Sequence, residues 1–442
     1  MFLPFDLCPL PLTSFMLKKL KFQNKTRLLL IPYHDTEAIT ILFLYGVGSR
    51  YERPEINGVS HFIEHLMFKG TNKRPTTLDI SRDLDRVGAE FNAMTSKDYT
   101  GYYIKISQAH KDLAVDILSD MLLHSKFDAR EINRERGVIV EEINMYHDNP
   151  IMCIESLFEE AVFAGNPLGA DVAGPAAVIK KISRKQILAY RDNFYRPDNL
   201  VIAVAGKIDD ALRADLEKKF IAKATVPSAP LPRFVEYATD QVVPRIKLQF
   251  KETKQVQLAF GFPAFGYHDK RAYALHLLSI ILGGNMSSRL FVSVREKRGL
   301  CYFIRCSPNF YQDTGNLMIQ SGLDKSRLDE ALAVIQAELV KVKKQGVTAK
   351  ELRDAKEFLR GKIVLALEDS SNLAEFFAKQ ELLLGKILTP TQKMKKYAAV
   401  TLGDIQAVAR EVFQPNRANI AIIGPFKEEK YFRKRMDLWK NF

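Results

Sequence analysis

Hydrophobic positions along this chain switch between a spacing of two and a spacing near 3.6, and the switches recur in the same order in each half. In the first half, strand spacing covers Arg27–Pro32 and Ala38–Gly46, the latter inside the apolar run Ala38–Val47. Asn57-Gly58 opens a helix over Val59–Phe68, and a further helix lies near Asp79–Val87. Ala89–Thr95 and Tyr99–Ser107 read as the two strands of a hairpin. Helical spacing returns over Lys111–Leu123, Ala129–Tyr146, Ile154–Phe163 and Ser183–Phe194. The strand Leu200–Gly206 and the helix Asp209–Phe220 close the half.

Pro227, Pro230 and Pro232 then punctuate a semi-extended linker over 223–235. Beyond it the order repeats. Strands Ile246–Phe250 and Gln255–Phe262 precede helices at Arg271–Leu282 and Ser288–Lys297. Strands Tyr302–Ser307 and Leu317–Gly322 follow, then helices Ser326–Lys344, Ala349–Leu367, Leu373–Leu384 and Leu402–Glu411, and the strand Asn419–Ile423. The repeat predicts an α+β protein of two homologous α/β-sandwich halves, each a mixed sheet covered by helices. The expected domains are 17–222 and 236–442, with a cleft between them where ligands commonly bind.

Composition narrows the class. With 47% hydrophobic and 26% charged residues, the 442-residue chain can bury sizeable cores, which excludes a disordered protein, a collagen-like fibre and a disulfide miniprotein. The formal charge of +13 is compatible with many partners. Lysines and arginines are scattered and no nucleic-acid reader motif appears, so nucleic acid is not an expected partner. Cys8, Cys153, Cys301 and Cys306 are too few for a disulfide framework and suit a reducing compartment. Cys301 and Cys306 lie five apart in a strand, on opposite faces, so no shared metal site is expected there. No apolar stretch is long enough to span a membrane, and the expected location is cytoplasmic. Residues 1–16, with Pro4, Pro9, Pro11 and Asp6, lack a basic n-region and read as a disordered extension, Met16 being an alternative start.

The sharpest feature is Ser60-His61-Phe62-Ile63-Glu64-His65-Leu66, inside the first long helix. At about 100° per residue, His61, Glu64 and His65 fall within an arc of roughly 100° on the helix surface. Two imidazoles one turn apart can hold one zinc, and the carboxylate between them can take a proton from metal-bound water. This is the reversed form of H-E-x-x-H. Phe62, Ile63, Leu66 and Met67 make the helix largely buried, where His, Glu and His need partners. A third ligand is required, and the segment from Arg134 to Ile143 offers it. Glu135 and Glu142 are two turns apart and share a face, with Glu141 rotated off it. Helix geometry alone leaves open which of the two acids touches the metal.

GVSHFIEHLMFKGT, GAEFNAMTSKDYTGYYI, ERGVIVEEINMYHDNP and GGNMSSRLFVSVREKRGLCYFI together resemble the pitrilysin (inverzincin) zinc metallopeptidases, particularly the mitochondrial-processing-peptidase-like members. The resemblance runs over nearly the whole chain. It implies two homologous halves facing each other as a clamshell, with one Zn2+ on the N-terminal half. The family spacing from the second histidine lands on Glu142, which makes Glu142 the ligand beside His61 and His65, and Glu135 a supporting acid. In the second half the corresponding helix, Ala272–Gly283, offers only His276, which reads as a core histidine.

The same resemblance implies the substrate machinery. Phe91-Asn92-Ala93-Met94-Thr95 reads as a sheet-edge strand, and Asn92 and Ala93 are the expected contacts to the backbone of an extended peptide. Arg295 and Tyr302 match a family pair that reaches the substrate, the guanidinium holding a carbonyl and the phenol donating to the developing oxyanion. Cys301 stands where the family commonly has a small alanine-like residue. The implied activity is zinc-dependent endopeptidase hydrolysis of peptides or unfolded segments, Glu64 being the general base. The alternative is a non-catalytic structural or substrate-binding subunit acting with a partner chain, since some family members have lost their ligands. The complete set His61, Glu64, His65 and Glu142 speaks against that. Family habit admits a homodimer, and a monomer stays open beside it.

Overall fold

A computed structural model describes residues 17–33, 36–239 and 241–438. The extension expected over 1–16 lies outside them. The first half of the chain forms β1 (Lys18–Lys21), β2 (Arg27–Pro32), β3 (Ala38–Tyr45), α1 (Val59–Met67), α2 (Thr77–Asp85), β4 (Glu90–Thr95), β5 (Thr100–Ser107), α3 (Lys111–His124), α4 (Ala129–Asp148), α5 (Pro150–Val162), α6 (Ala176–Ile179), α7 (Arg184–Phe194), β6 (Leu200–Gly206) and α8 (Asp210–Leu216). The second forms β7 (Arg245–Phe250), β8 (Gln255–Ala264), α9 (Ala272–Gly283), β9 (Cys301–Phe310), β10 (Gly315–Asp324), α10 (Leu328–Gln345), α11 (Ala349–Ala366), α12 (Ser370–Lys379), α13 (Pro390–Ala398), α14 (Leu402–Val412), β11 (Asn419–Gly424) and α15 (Glu429–Leu438).

Two mixed sheets result, in the orders β1-β2-β6-β3-β5-β4 and β7-β11-β8-β10-β9. Apart from β1 they are the same sheet twice, with one parallel pair in each (β2 with β6, β7 with β11) and antiparallel neighbours elsewhere. The expected fold class is therefore the observed one. Three predicted helices differ in detail: Asp209–Phe220, Ser288–Lys297 and Leu373–Leu384 contain π-helical turns at Glu217–Ile221, Phe291–Glu296 and Gln380–Leu384. Over a single turn the hydrophobic spacing of a π-helix is too close to that of an α-helix to be separated in sequence. The helices α6, α13 and α15 lie outside the predicted elements.

The compact units are not continuous in sequence. The first comprises the residues through Glu142, Val172–Phe234 and Gly361–Lys393; the second comprises Ile143–Asp171, Val235–Arg360 and Met394 onward. The boundaries expected at 222 and 236 thus miss two exchanged segments. The reason lies in the sheet faces. In the first sheet Leu29, Ile31, Leu42, Leu44, Val201 and Ala203 share one face, and Leu373, Ala374, Phe377 and Ala378 of α12 cover it. In the second, Ile154, Phe158 and Val162 of α5 cover Ala259, Met318, Ala421 and Ile423. Each half of the sequence contributes the helix that seals the other half's sheet. A Thr40 to Ser370 hydroxyl hydrogen bond of 2.8 Å fixes the start of α12 against β3.

Phe377 is fully buried in this layer. Phe377→Ala is expected to destabilise the first unit by about 3–5 kcal/mol through the cavity it leaves. Native-state hydrogen exchange should then show lost protection in β2, β3 and β6, while β8, β10 and β11 keep theirs. Equal losses in both sheets would contradict the assignment of α12 to the first unit alone.

Candidate metal centre

The centre is built in the first unit from α1 inward. Gly58 precedes α1 with φ +95°, and a Cβ there would stand 2.4 Å from the carbonyl oxygen of Ala173, so only glycine fits the entry. The helix carries no side-chain cap of its own. Glu52, 4% exposed, supplies it from outside: its carboxylate accepts from the backbone N–H of Gly58 (2.6 Å) and Ser60 (2.7 Å) and from the Asn57 amide (2.8 Å). Burial pushes the Glu52 carboxyl up to about 7, against the pull of those donors. Ser60 Oγ donates to the Tyr190 hydroxyl (3.0 Å), which donates to the Gly48 carbonyl (3.2 Å). The N–H groups of Ser49 and Arg50 bond the carbonyls of Ser96 and Lys97, and Arg50 makes a buried ion pair with Asp98 at 3.1 Å. The loop leading into α1 is thereby pinned to the turn that ends β4.

Val59, Phe62, Ile63, Leu66 and Met67 bury one face of α1, leaving His61, Glu64 and His65 together on the partly open face. The side chains of His61 and His65 are 12% and 20% exposed, and their ring centroids are 4.7 Å apart. From α4, Glu142 Oε2 lies 3.6 Å from His61 Nε2 and 3.3 Å from His65 Nε2. Glu135, only 1% exposed, reaches the other ring nitrogen of His65 (Oε2 to Nδ1, 3.1 Å), and Lys69 holds its second oxygen at 2.8 Å. Of the two acids whose roles helix geometry left open, Glu142 stands at the inner nitrogens and Glu135 at the outer one. Glu141 is exposed. Arg136 anchors α4 by hydrogen bonds to the Ile179 and Ile182 carbonyls.

The electrostatics follow from these contacts. Burial opposes protonation of His65, but the hydrogen bonds to Glu135 and Glu142 outweigh it and carry the imidazole to about 9. Burial likewise works against charge on Glu135, yet His65 and Lys69 hold it below the usual carboxylate range. Glu142 is lowered by its bond to His65. Glu64 is raised by burial, although the Thr95 hydroxyl donates a short hydrogen bond to it. Thr95, Lys69 and Glu52 are the residues sequence reasoning passed over. Only Lys69 left a trace there, one helical turn beyond His65.

The donor set fits zinc. His61, His65 and Glu142 each offer one atom, all lying within 4.8 Å of one another, and this is the only such group among the described residues. Tetrahedral zinc with bonds of about 2.1 Å needs donor separations near 3.4 Å, which the 3.3 and 3.6 Å distances bracket. In the second unit His276 bonds the Tyr397 hydroxyl through Nδ1 at 2.9 Å, as a core histidine would.

The expected substrate residues sit as follows. β4 is the edge strand of its sheet. Asn92 and Ala93 pair with Tyr103 and Tyr102 of β5. The Ala93 N–H donates to the side-chain oxygen of Asn92 at 2.9 Å. Arg295 and Tyr302 belong to the second unit, where the guanidinium lies 5.6 Å from the centre of the Tyr302 ring and Tyr302 is 77% exposed. Cys153, Cys301 and Cys306 are free thiols. No helix among the described residues is long and apolar enough to cross a membrane.

Two imidazoles and a carboxylate converging beside a second, buried carboxylate make a donor set for one metal ion, here mounted on a mixed-sheet sandwich. Two family profiles match the chain: insulinase (peptidase family M16) over residues 28–176 and peptidase M16 inactive domain over 181–359. The uncharacterized zinc protease YmxG of Bacillus subtilis is 36% identical over 93% of this chain and 98% of its own length. The uncharacterized zinc protease SCO5738 of Streptomyces coelicolor is 36% identical over 88% of this chain and 85% of its own. A crystal structure titled as a protease from Helicobacter pylori shares the fold with a TM-score of 0.87 at 24% identity, covering 93% of this chain and 100% of that one. The chain belongs to peptidase family M16.

Glu52→Gln turns an amide toward a backbone donor at the start of α1. It is expected to cost about 1–3 kcal/mol of stability. The sign of the pH effect follows from the raised carboxyl. Its contribution is complete below the ordinary carboxylate range and is lost as pH climbs through about 7, whereas Gln does not titrate. The gap in thermal midpoint between wild type and variant should therefore narrow from about pH 5 to about pH 8. A widening gap would mean that the buried carboxylate is held as the anion.

Proposed function

We propose that the protein is a zinc-dependent endopeptidase that hydrolyses peptides or unfolded segments. The observation that carries this reading is the approach of Glu142 to both inner imidazole nitrogens at 3.3 and 3.6 Å, with Glu64 on the same helix face as the two histidines. The zinc protease names of the relatives support the metal. His61, His65 and Glu142 are the ligands. When bound, zinc supplies a Lewis acid for the scissile carbonyl and acidifies the attacking water.

The chain's own residues do the rest. Glu64 takes the proton from the nucleophilic water and returns it to the leaving amine. Burial raises its basicity for that task, and Thr95 fixes the orientation of the carboxylate. Glu135, charged and held by Lys69, orients His65 through the outer nitrogen and keeps the inner one available. Asn92 and Ala93 on the β4 edge hold the peptide backbone by strand addition. For this, the Asn92 side-chain oxygen must give up the Ala93 N–H to a substrate carbonyl. Arg295 and Tyr302, 5.6 Å apart from guanidinium to ring centre, are the further proposed substrate contacts. The free thiols of Cys153, Cys301 and Cys306 suit a cytoplasmic setting.

Glu64→Gln is expected to keep zinc, measured by metal analysis of the purified protein, while turnover of a peptide mixture falls about a hundredfold or more. Near-normal turnover would remove Glu64 from the mechanism. His65→Ala should lose both metal and activity, and a chelator should abolish wild-type cleavage until zinc is restored. Zinc-loaded wild type without turnover on any peptide would leave the non-catalytic subunit role instead.

A further inference from the structure

The helix α12 does more in the first unit than close an apolar layer. It is tied down at both ends. At its start Ser370 meets the Thr40 hydroxyl of β3. Just past its end the buried carboxylate of Glu381 takes the ammonium of Lys19 in β1 at 2.7 Å and the guanidinium of Arg27 in β2 at 3.7 Å. A helix fixed to three strands in this way is a firm base for whatever its other side chains grip.

One of those grips is made by Lys379, the last residue of α12. Its ammonium lies 4.5 Å from the centre of the Tyr99 ring and pairs with Glu375. Burial acts first and lowers the pKa of the lysine, but Tyr99 and Glu375 outweigh it, and the group stays protonated. A partly buried ammonium that has found an aromatic face and a carboxylate holds both in place, because moving away would leave its charge desolvated and unpaired. Met94, Tyr99 and Tyr103 pack beside it on the apolar layer that α12 covers.

Tyr99 stands in the turn between β4 and β5, and its carbonyl accepts from the Ser96 N–H at 2.8 Å. Ser96 directly follows Thr95, whose hydroxyl donates to Glu64. Side chains alternate along a strand. Phe91 and Thr95 accordingly face α1, while Met94 faces α12. The turn is where a constraint from the α12 face passes to the α1 face. From the entry loop of α1, the N–H groups of Ser49 and Arg50 hold the carbonyls of Ser96 and Lys97 at 3.1 and 3.2 Å. From the opposite face Lys379 holds Tyr99. The Thr95 hydroxyl is set between these two grips, and a general base displaced by as little as an ångström can lose up to about a hundredfold in rate.

We propose that Lys379 is a positioning residue for the general base, acting through Tyr99 and the Thr95 hydroxyl on the carboxylate of Glu64. The proposal rests on the peptidase reading and deepens it. It places a residue from the second half of the sequence behind a base carried by a helix of the first, both within the first unit.

The test uses the zinc-loaded protein and one peptide that the wild type cleaves. Lys379→Met keeps the apolar stem and removes the charge. It should lower kcat about tenfold with KM within about twofold, and Lys379→Arg should recover most of the loss. Thr95→Val should also lower kcat, and Thr95→Ser should restore it. The double variant decides the route: in the Thr95→Val background, Lys379→Met should lower kcat by less than about twofold more. A full additional tenfold loss there, a loss confined to KM, or an unchanged kcat overturns the proposal. Hydrogen exchange gives a readout free of turnover. The amides of residues 95–100 should exchange about tenfold faster in Lys379→Met while β3 and β6 keep their protection, and unchanged exchange across the turn also overturns it. Zinc content and thermal midpoint, measured alongside, separate a metal or folding defect from misplacement of the base. Zinc-loaded wild type that cleaves no peptide overturns the peptidase reading and this role with it, whereas cleavage indifferent to Lys379 overturns this role alone.

Discussion

The structure turns on the buried carboxylate of Glu135. A charge only 1% exposed is costly unless it is paired, and both of its partners, His65 and Lys69, come from the C-terminal end of α1 and the residues just after it. That double grip sets α4 against α1 in one register. Two helical turns further along the same face, Glu142 then arrives at the inner nitrogens of both histidines. One buried ion pair fixes the ring orientation of a ligand and also places the third donor. The grip is polar and directional, so it specifies the register more sharply than apolar contact between the helices could.

The rest of the first unit holds that register in place. Glu52 anchors the start of α1 through its backbone N–H groups, and the Arg50–Asp98 pair ties the entry loop to the end of β4. Glu64 and the β4 edge are linked through one hydrogen bond, from Thr95 to Glu64. On the far face of the sheet, α12 closes the apolar layer. Because α12 comes from the second half of the sequence and α5 from the first, neither half can bury both faces of its own sheet from its own residues. The repeat therefore folds as an exchanged pair, which is a stronger coupling than a proline-rich linker suggests.

Much of this was readable from the chain. The His-x-x-Glu-His geometry is a property of a single helix, so periodicity alone places three functional groups on one face. The hairpin of β4 and β5 and the twofold order of elements follow from spacing in the same way. What periodicity does not carry is the identity of the surface that an apolar face meets. The helices at Pro150–Val162 and Ser370–Lys379 were legible as amphipathic, but their assignment to the opposite unit was not. Glu52, Lys69 and Thr95 left little or no mark, because a hydrogen bond between side chains distant in sequence has no period.

The sequence by itself determined most of the elements, the duplicated mixed sheets, the helix face shared by His61, Glu64 and His65, and the family, because each is written in local spacing or in motifs that survive without a fold. Tertiary structure alone decided which helix seals which sheet, and that Lys69 and His65 together hold the buried Glu135. Those are questions of distance between segments far apart in the chain. They are settled by where burial forces charges to find partners, and no local pattern records that.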